Sequence, residues 1–328
     1  MKISVIGAGT WGIVIASYLS KKNHEVTVYH RNSDTSKQLQ STNIHPNLPD
    51  KNIPSNIIYS QSMKHCNESD LCILAVPTHS LSNVLNDLHD NNTKYLILSK
   101  GFDINTGLLP MQLLNQNFNI DMNNIALLSG PNHAEEIIED KSAATVISSL
   151  NEDYANELQT IFSSKTFRVY TSDDIVGVQV GGAIKNVIAI ASGICDGLNL
   201  GDNTQAALVS RGLNEMQEIS KIYNFNNKTL YGLSGVGDLV GTCYSKHSRN
   251  RQLGVFIGQG KSLNEATNII GMATEGLNTT KILNKIIKLN KLEMPICAEV
   301  YNILFNDKDP KESIIKLMTR SLRSEEAS

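Results

Sequence analysis

The chain has 328 residues, 41% of them hydrophobic, with 29 basic against 32 acidic side chains and a net charge of −3. At roughly 100–200 residues per domain that length predicts two domains, each able to bury its own core. A charged fraction of 19% excludes a disordered chain, and the slightly acidic balance excludes a protein that depends on a basic face for nucleic acid. No uninterrupted apolar stretch reaches the roughly 18 residues needed to cross a bilayer, so no membrane insertion is expected. Met1-Lys2-Ile3-Ser4-Val5-Ile6-Gly7 lacks the apolar core and cleavage site of a signal peptide and reads as a first strand. Cys66, Cys72, Cys195, Cys243 and Cys297 are odd in number and lack C-x-x-C spacing. Together with scattered histidines, each read as a surface or core residue, they predict neither a disulfide framework nor a metal site, and a cytoplasmic protein.

In chain order, Lys2–Gly7 is predicted as a strand and Trp11–Lys22 as a helix, with Ile13, Ala16, Tyr18 and Leu19 apolar. Glu25–His30 follows as a strand rich in strand formers. His45–Asn56, with three prolines, is predicted as a surface loop. Leu71–Val76, Tyr95–Ser99, Ile125–Ser129 and Ala144–Ser148 are apolar enough for buried strands separated by helix-length segments. That alternation predicts a parallel sheet covered on both faces. After about Gly177 the alternation stops. Val178–Ile194, Gln205–Tyr223, Leu263–Ile269, Thr279–Lys288 and Ile296–Phe305 all read as helices, and the polar end Thr319–Ser328 as frayed. The expected fold is α/β: a doubly wound parallel sheet over residues 1–178, then an all-α domain over 179–328.

Gly7-Ala8-Gly9-Thr10-Trp11-Gly12 joins the first strand to the first helix, with a second strand following within about 30 residues. In that setting G-x-G-x-x-G is a dinucleotide-binding signature of the Rossmann type. Gly7 makes the tight turn, Gly9 admits a pyrophosphate, and Gly12 lets helix and strand lie close. The second strand ends in Tyr29-His30-Arg31, without the carboxylate that binds a ribose 2′-hydroxyl. Arg31 can then pair with a 2′-phosphate, so NADP(H) is expected to be accepted alongside NAD(H); the alternative is a solvated surface arginine. Ala75–His79, Ser99-Lys100-Gly101 and Ser129–Ala134 end further strands, where ligands of open parallel sheets sit.

The second half contains Gln179–Ala191, in which the helical neighbours of Lys185 are Gly181, Gly182, Ile188 and Ala189. A lysine so placed either snorkels outward or sits in a partly desolvated pocket, where it can exchange a proton near neutral pH. Asp238, flanked by glycines in Ser234–Cys243, either orients an ammonium or caps the following helix. Ser248-Arg249-Asn250-Arg251 forms a basic corner suited to an oxyanion. Cys243 reads as a buried thiol in preference to a nucleophile, having no basic partner nearby in sequence.

Together these motifs resemble the bacterial-type NAD(P)-dependent glycerol-3-phosphate dehydrogenases. GAGTWG, AVPTHSL, LSKGF, LSGPNHAEE, the segment from Gln179 to Met216, GVGDLVGTCYSKHSRN, ATEG and MPICAEVYNILF occur in family order from residue 7 to residue 305. The resemblance implies reversible reduction of dihydroxyacetone phosphate to sn-glycerol 3-phosphate, supplying phospholipid synthesis, with NADPH or NADH as cofactor and a homodimer as the assembly considered. It assigns Lys185 as proton donor and acceptor and Asp238 as the carboxylate that positions it. Lys100, Gly130, Asn132, Asn186, Ser248, Arg249 and Asn250 fall on substrate contacts. Thr10, Trp11, His30, Arg31, Lys100, Ala134, Arg249, Ala273 and Glu275 fall on cofactor contacts. Three departures from the family pattern stand out: Asn132 replaces a small hydroxyl residue, Gly241 a larger apolar one, and Ala273-Thr274 a more apolar pair. The boundary near residue 178 places the expected active site in the cleft between the domains. Two rivals are a hydroxyacid or 6-phosphogluconate type of dehydrogenase and a nucleotide-sensing protein without catalysis; retention of Lys185, Asp238 and Arg249 argues against the second.

Overall fold

The structure, a computed structural model, describes residues 1–88, 93–322 and 324–325, with the side chain of His65 left aside. Part of the expected frayed end, Arg323 and residues 326–328, therefore lies outside the described residues. The chain divides into two compact units, Met1–Ile175 and Val176–Ser328.

The first unit runs β1 (Lys2–Ile6), α1 (Thr10–Lys21), β2 (Glu25–Tyr29), α2 (Ser33–Thr42), β3 (Ile44–His45), β4 (Leu48–Asn52), β5 (Ile58–Ser60), α3 (Lys64–Asn67), β6 (Leu71–Leu74), α4 (Leu81–Asn86), β7 (Tyr95–Ile97), α5 (Pro110–Phe118), β8 (Ile125–Ser129), α6 (Ala134–Ile137), β9 (Ala143–Ser149), α7 (Glu152–Phe162) and β10 (Phe167–Ser172). Eight of the strands form one sheet in the order β10-β9-β8-β7-β6-β1-β2-β5. From β5 to β8 every pairing is parallel. The chain winds outward from β1 to β5 and then, from β6, the other way, so the strand order reverses between β1 and β6. That reversal point is where open α/β sheets bind ligands. Strands β6 and β8 are buried along their whole length, as near-continuous apolar runs require.

The sheet is not parallel throughout. β9 runs antiparallel to β8, with Leu127 opposite Ser148 and Leu128 opposite Ile147, and β10 follows β9 in parallel. An apolar strand covered on both faces has no sequence signature for direction, so the reading of an all-parallel sheet failed there. The predicted loop His45–Asn56 also needs correction. It contains the antiparallel pair β3–β4, with His45, Leu48 and Ile53 only 5%, 4% and 3% exposed. β5 and β10, absent from the sequence reading, complete the two edges of the sheet.

The second unit comprises α8 (Ile175–Gly197), α9 (Asp202–Glu218), α10 (Asp238–Tyr244), α11 (Arg249–Gly258), α12 (Leu263–Ile270), α13 (Glu275–Asn290), α14 (Pro295–Phe305) and α15 (Pro310–Met318). α10, α11 and α15 were not predicted as helices. α8 is the hydrophobic centre: Ala183, Ile184, Val187, Ile188, Ala189 and Ile190 are completely buried. An apolar helix of this kind is stable only when neighbours cover every side, each large aliphatic side chain contributing about 2 kcal/mol. α11 crosses α8 at backbone distance; a Cβ on Gly254 would fall 2.0 Å from the Ile190 carbonyl oxygen. α8 also bears on membrane insertion. It is long and apolar enough to cross a membrane, with a mean hydropathy of 1.5, and unbroken apolar runs alone overlook it because polar residues interrupt it. Inside the chain, 94% of that window is buried, which is the environment of a core helix.

Candidate active site

The turn after β1 is built by its glycines. Gly7 has φ +114°, and a Cβ there would lie 2.8 Å from the Ala75 carbonyl oxygen just beyond β6. A Cβ on Gly12 would sit 2.0 Å from the Gly7 oxygen, so α1 can leave the sheet only as a bare backbone. Gly9 differs: a Cβ there would meet nothing within 4 Å, and no side chain caps the helix it begins. A helix N-terminus with open space in front, at the reversal point of the sheet, fits a pyrophosphate.

The β3–β4 hairpin supports this turn from residues the sequence reading missed. His45 is buried and its Nε2 lies 3.1 Å from the Ala8 carbonyl oxygen, while its Nδ1 accepts the Asn47 backbone N–H at 3.2 Å. An accepting Nδ1 makes Nε2 the donor, so the imidazole is neutral. Burial agrees, because it pushes the His45 pKa below its ordinary value. The Asn47 amide then donates to the Thr10 hydroxyl at 3.1 Å. The available signal was an Ile-His pair among prolines, too short for any periodicity.

The other predicted residues of this unit follow the same strand ends. His30 and Arg31 come directly after β2, beside Gly7, whose N–H donates to the Tyr29 oxygen. Arg31 is exposed and His30 half-buried against Asn32. Lys100, beyond β7, donates to the Gly130 carbonyl oxygen at 3.0 Å. Gly130, beyond β8, has φ +156° and packs on Thr145. The Asn132 amide donates to the Thr145 hydroxyl at 2.8 Å, leaving its Oδ1 buried without a hydrogen-bond donor among the described residues. Trp11 lies half-buried at the start of α1, and Ala134 is buried at the start of α6.

In the second unit Lys185 does not snorkel. It is 7% exposed, and its ammonium donates to Asp238 Oδ1 at 2.5 Å and to the Thr242 hydroxyl at 2.8 Å. The Thr242 hydroxyl in turn donates to Asp238 Oδ1 at 3.3 Å. Asp238 opens α10 after a π-helical turn over Leu233–Gly237, and Gly237 holds the N-cap position, so its carboxylate serves the lysine. Desolvation penalises a buried ammonium, and a carboxylate in contact offsets that penalty. Thr242 was missed; it lies one helical turn beyond Asp238, a relation visible only once α10 is known. Burial pushes the Cys243 thiol up to about 12, which excludes it as a thiolate nucleophile.

The basic corner is divided among several tasks. Ser248 caps α11 by accepting the Arg251 N–H, and Arg251 forms an ion pair with Asp196 at the end of α8. Arg251 is thus structural, which removes one cation from the predicted corner. Arg249 is exposed, makes no ion pair among the described residues, and donates to the Ala273 carbonyl oxygen at 2.9 Å. Asn250 joins Asn186 at 3.0 Å and accepts the Gly276 N–H at 3.0 Å, next to Glu275 at the start of α13. Gly241 is half-buried in α10, and nothing in the structure explains its departure from the family pattern.

Residues 2–155 match the family described as NAD-dependent glycerol-3-phosphate dehydrogenase N-terminus, and residues 174–315 match the corresponding C-terminus. A glycerol-3-phosphate dehydrogenase [NAD(P)+] of Thermoanaerobacter sp. (strain X514) is 40% identical over 99% of both chains. One from Halothermothrix orenii is 39% identical over 99% of this chain and 96% of its own. The crystal structure of glycerol-3-phosphate dehydrogenase from Coxiella burnetii superimposes with a TM-score of 0.92 at 31% identity, covering 97% of this chain and 99% of that one. With both halves matched in order and over nearly their full length, the chain belongs to the NAD-dependent glycerol-3-phosphate dehydrogenase family.

Proposed function

We propose that the chain catalyses the reversible, NAD(P)H-dependent reduction of dihydroxyacetone phosphate to sn-glycerol 3-phosphate. The observation that carries this reading is the buried Lys185–Asp238–Thr242 cluster, a proton-transfer group held by two hydrogen bonds. When bound, the dinucleotide supplies a hydride to the carbonyl carbon; the Gly7–Gly12 turn, His30 and Arg31 are the residues suited to hold it. With Tyr29-His30-Arg31 and no carboxylate at the end of β2, a 2′-phosphate is accepted there, so NADPH is used as well as NADH.

Lys185 faces the ketone oxygen, stabilises its developing negative charge and gives it a proton; in the oxidative direction it takes the hydroxyl proton. A cation fixed in advance needs no reorganisation as charge develops, an effect worth several kcal/mol. Asp238 and Thr242 hold the ammonium through two defined bonds, so they position it. Arg249 binds the phosphate, backed by N–H groups of Asn186 and Asn250, and this remote binding orients the reacting carbon. Lys100, Gly130, Asn132 and Ser248 complete the substrate contacts, and Lys100, Ala134, Arg249, Ala273 and Glu275 those of the cofactor. The same reading makes the protein a cytoplasmic homodimer that supplies glycerol 3-phosphate for phospholipid synthesis.

Oxidation of NADPH and NADH with dihydroxyacetone phosphate tests the reading, which falls if neither is oxidised. Lys185→Ala should lower kcat by orders of magnitude while NADPH still binds; near-normal turnover would sink the role of Lys185. Arg249→Ala should chiefly raise KM for dihydroxyacetone phosphate, and an unchanged KM and kcat/KM would count against it.

A further inference from the structure

We infer that Gly276, which carries no side chain to offer a ligand, is a positioning residue: it docks the start of α13 onto α11 and α8 and so sets where Glu275 stands relative to Asn186 and Lys185. The inference rests on the dehydrogenase reading above and concerns how its two ligands are held together.

Three hydrogen bonds run in a line. The Gly276 N–H donates to Asn250 Oδ1 at 3.0 Å, Asn250 Nδ2 donates to Asn186 Oδ1 at 3.0 Å, and Asn186 Nδ2 donates to the Gly182 carbonyl oxygen at 3.3 Å. A backbone N–H can only donate and a backbone carbonyl can only accept, so the two ends of the line fix the orientation of both amides. Each amide nitrogen carries a second N–H, and the line decides where those point. They are the groups assigned above to the substrate.

A side chain at 276 would break this arrangement. A Cβ there would lie 2.5 Å from Asn250 Oδ1, 2.8 Å from Ile190 Cδ1 and 3.1 Å from the Asn186 carbonyl oxygen. The Ile190 methyl can turn aside. Asn250 cannot move without losing Asn186, and the Asn186 oxygen belongs to the backbone of α8. The segment is also tied on either side: Arg249 donates to the Ala273 oxygen at 2.9 Å, and the buried Thr280 hydroxyl donates to the Gly276 oxygen at 2.6 Å. Glu275 therefore sits between a tie to Arg249 and a tie to Asn250. Two neighbouring residues of α11, both assigned to substrate, hold the segment assigned to cofactor.

A double-mutant cycle of Gly276→Ala, Asn250→Ala and the combined variant tests this, read in KM for dihydroxyacetone phosphate, KM for NADPH, kcat and Tm. Gly276→Ala should raise both KM values, that for dihydroxyacetone phosphate about tenfold, with a smaller fall in kcat. A general loss of folded protein would lower kcat and leave KM alone. In the Asn250→Ala background, where the 2.5 Å contact is gone and only the 3.1 Å contact with the Asn186 carbonyl oxygen and the movable Ile190 methyl remain, Gly276→Ala should raise KM clearly less than it does in the parent. Effects that multiply across the cycle, or KM values within twofold of the parent for Gly276→Ala, overturn the inference. Where Gly276→Ala alone does not fold, the combined variant should recover a cooperative melt, and failure to recover it counts the same way. A parent that oxidises no NADPH defeats the dehydrogenase reading instead, and the cycle read in Tm still tests the contact.

Discussion

The Lys185 ammonium survives burial because Asp238 and Thr242 receive it, and the two partners contribute differently. Asp238 supplies charge; Thr242 supplies direction, accepting from the lysine while donating to the same carboxylate oxygen. Thr242→Val keeps the shape and removes both bonds. We expect kcat to fall about tenfold with KM for dihydroxyacetone phosphate little changed, and stability to fall by about 1–3 kcal/mol, since a buried group loses its partner. Steady-state kinetics and a thermal melt check both, and an unaltered kcat would show that Asp238 alone suffices. Lys185 was legible in the sequence because one charge among glycines and aliphatic residues has few explanations. Thr242 was not, because its place depends on where α10 begins, and a π-helical turn sets that.

Between α9 and α14 a similar economy operates with a carboxylate. Glu215 on α9 is buried, and its two oxygens accept the N–H groups of Ile296 and Cys297 at the start of α14, at 2.5 and 3.0 Å. Burial pushes Glu215 up to about 7, although the backbone N–H groups of Cys297 and Ile296 pull it down. The folded chain thus keeps this proton to higher pH than the unfolded chain, whose carboxyl ionises near 4.5. The stability this group contributes is full below that value and is lost as pH rises to about 7. Glu215→Gln should therefore flatten the decline of Tm between those two values, whatever its effect on Tm at any single pH. Melts across that range check the slope; an identical slope in both proteins would show that Glu215 titrates normally. Nothing in the sequence marked Glu215, because a charged residue in a polar-faced helix ordinarily faces water, and only the arrival of α14 makes it a cap. Strand direction at β9 escaped for a related reason: hydrophobic pattern reports burial and not the path by which a strand arrives.

At the scale of the whole molecule, two units carry separate cores, and the single tryptophan, Trp11, lies in the first, within the Gly7–Gly12 turn. Trp11 fluorescence therefore reports the melting of that unit, and far-UV circular dichroism that of both. NADPH at about a hundredfold over its Kd should stabilise the Trp11-reported transition by about 2.7 kcal/mol, because a ligand that binds only the folded state adds its binding free energy. A transition that stays in place at saturating NADPH would contradict a cofactor held on that turn.

The amino-acid sequence by itself determined the α/β half followed by the helical half, the glycine turn that opens α1, and Lys185, Asp238 and Arg249 as candidate site residues. These are properties of local pattern: period, glycine spacing, and a charge in apolar surroundings. Only the tertiary structure decided that Arg251 serves Asp196, that His45 and Asn47 brace the turn, that β9 reverses direction, and that Gly276 closes on Asn250. Each of those depends on which distant segment arrives opposite a side chain. A buried polar group must find its partner wherever the fold brings one, and spacing along the chain does not encode that meeting.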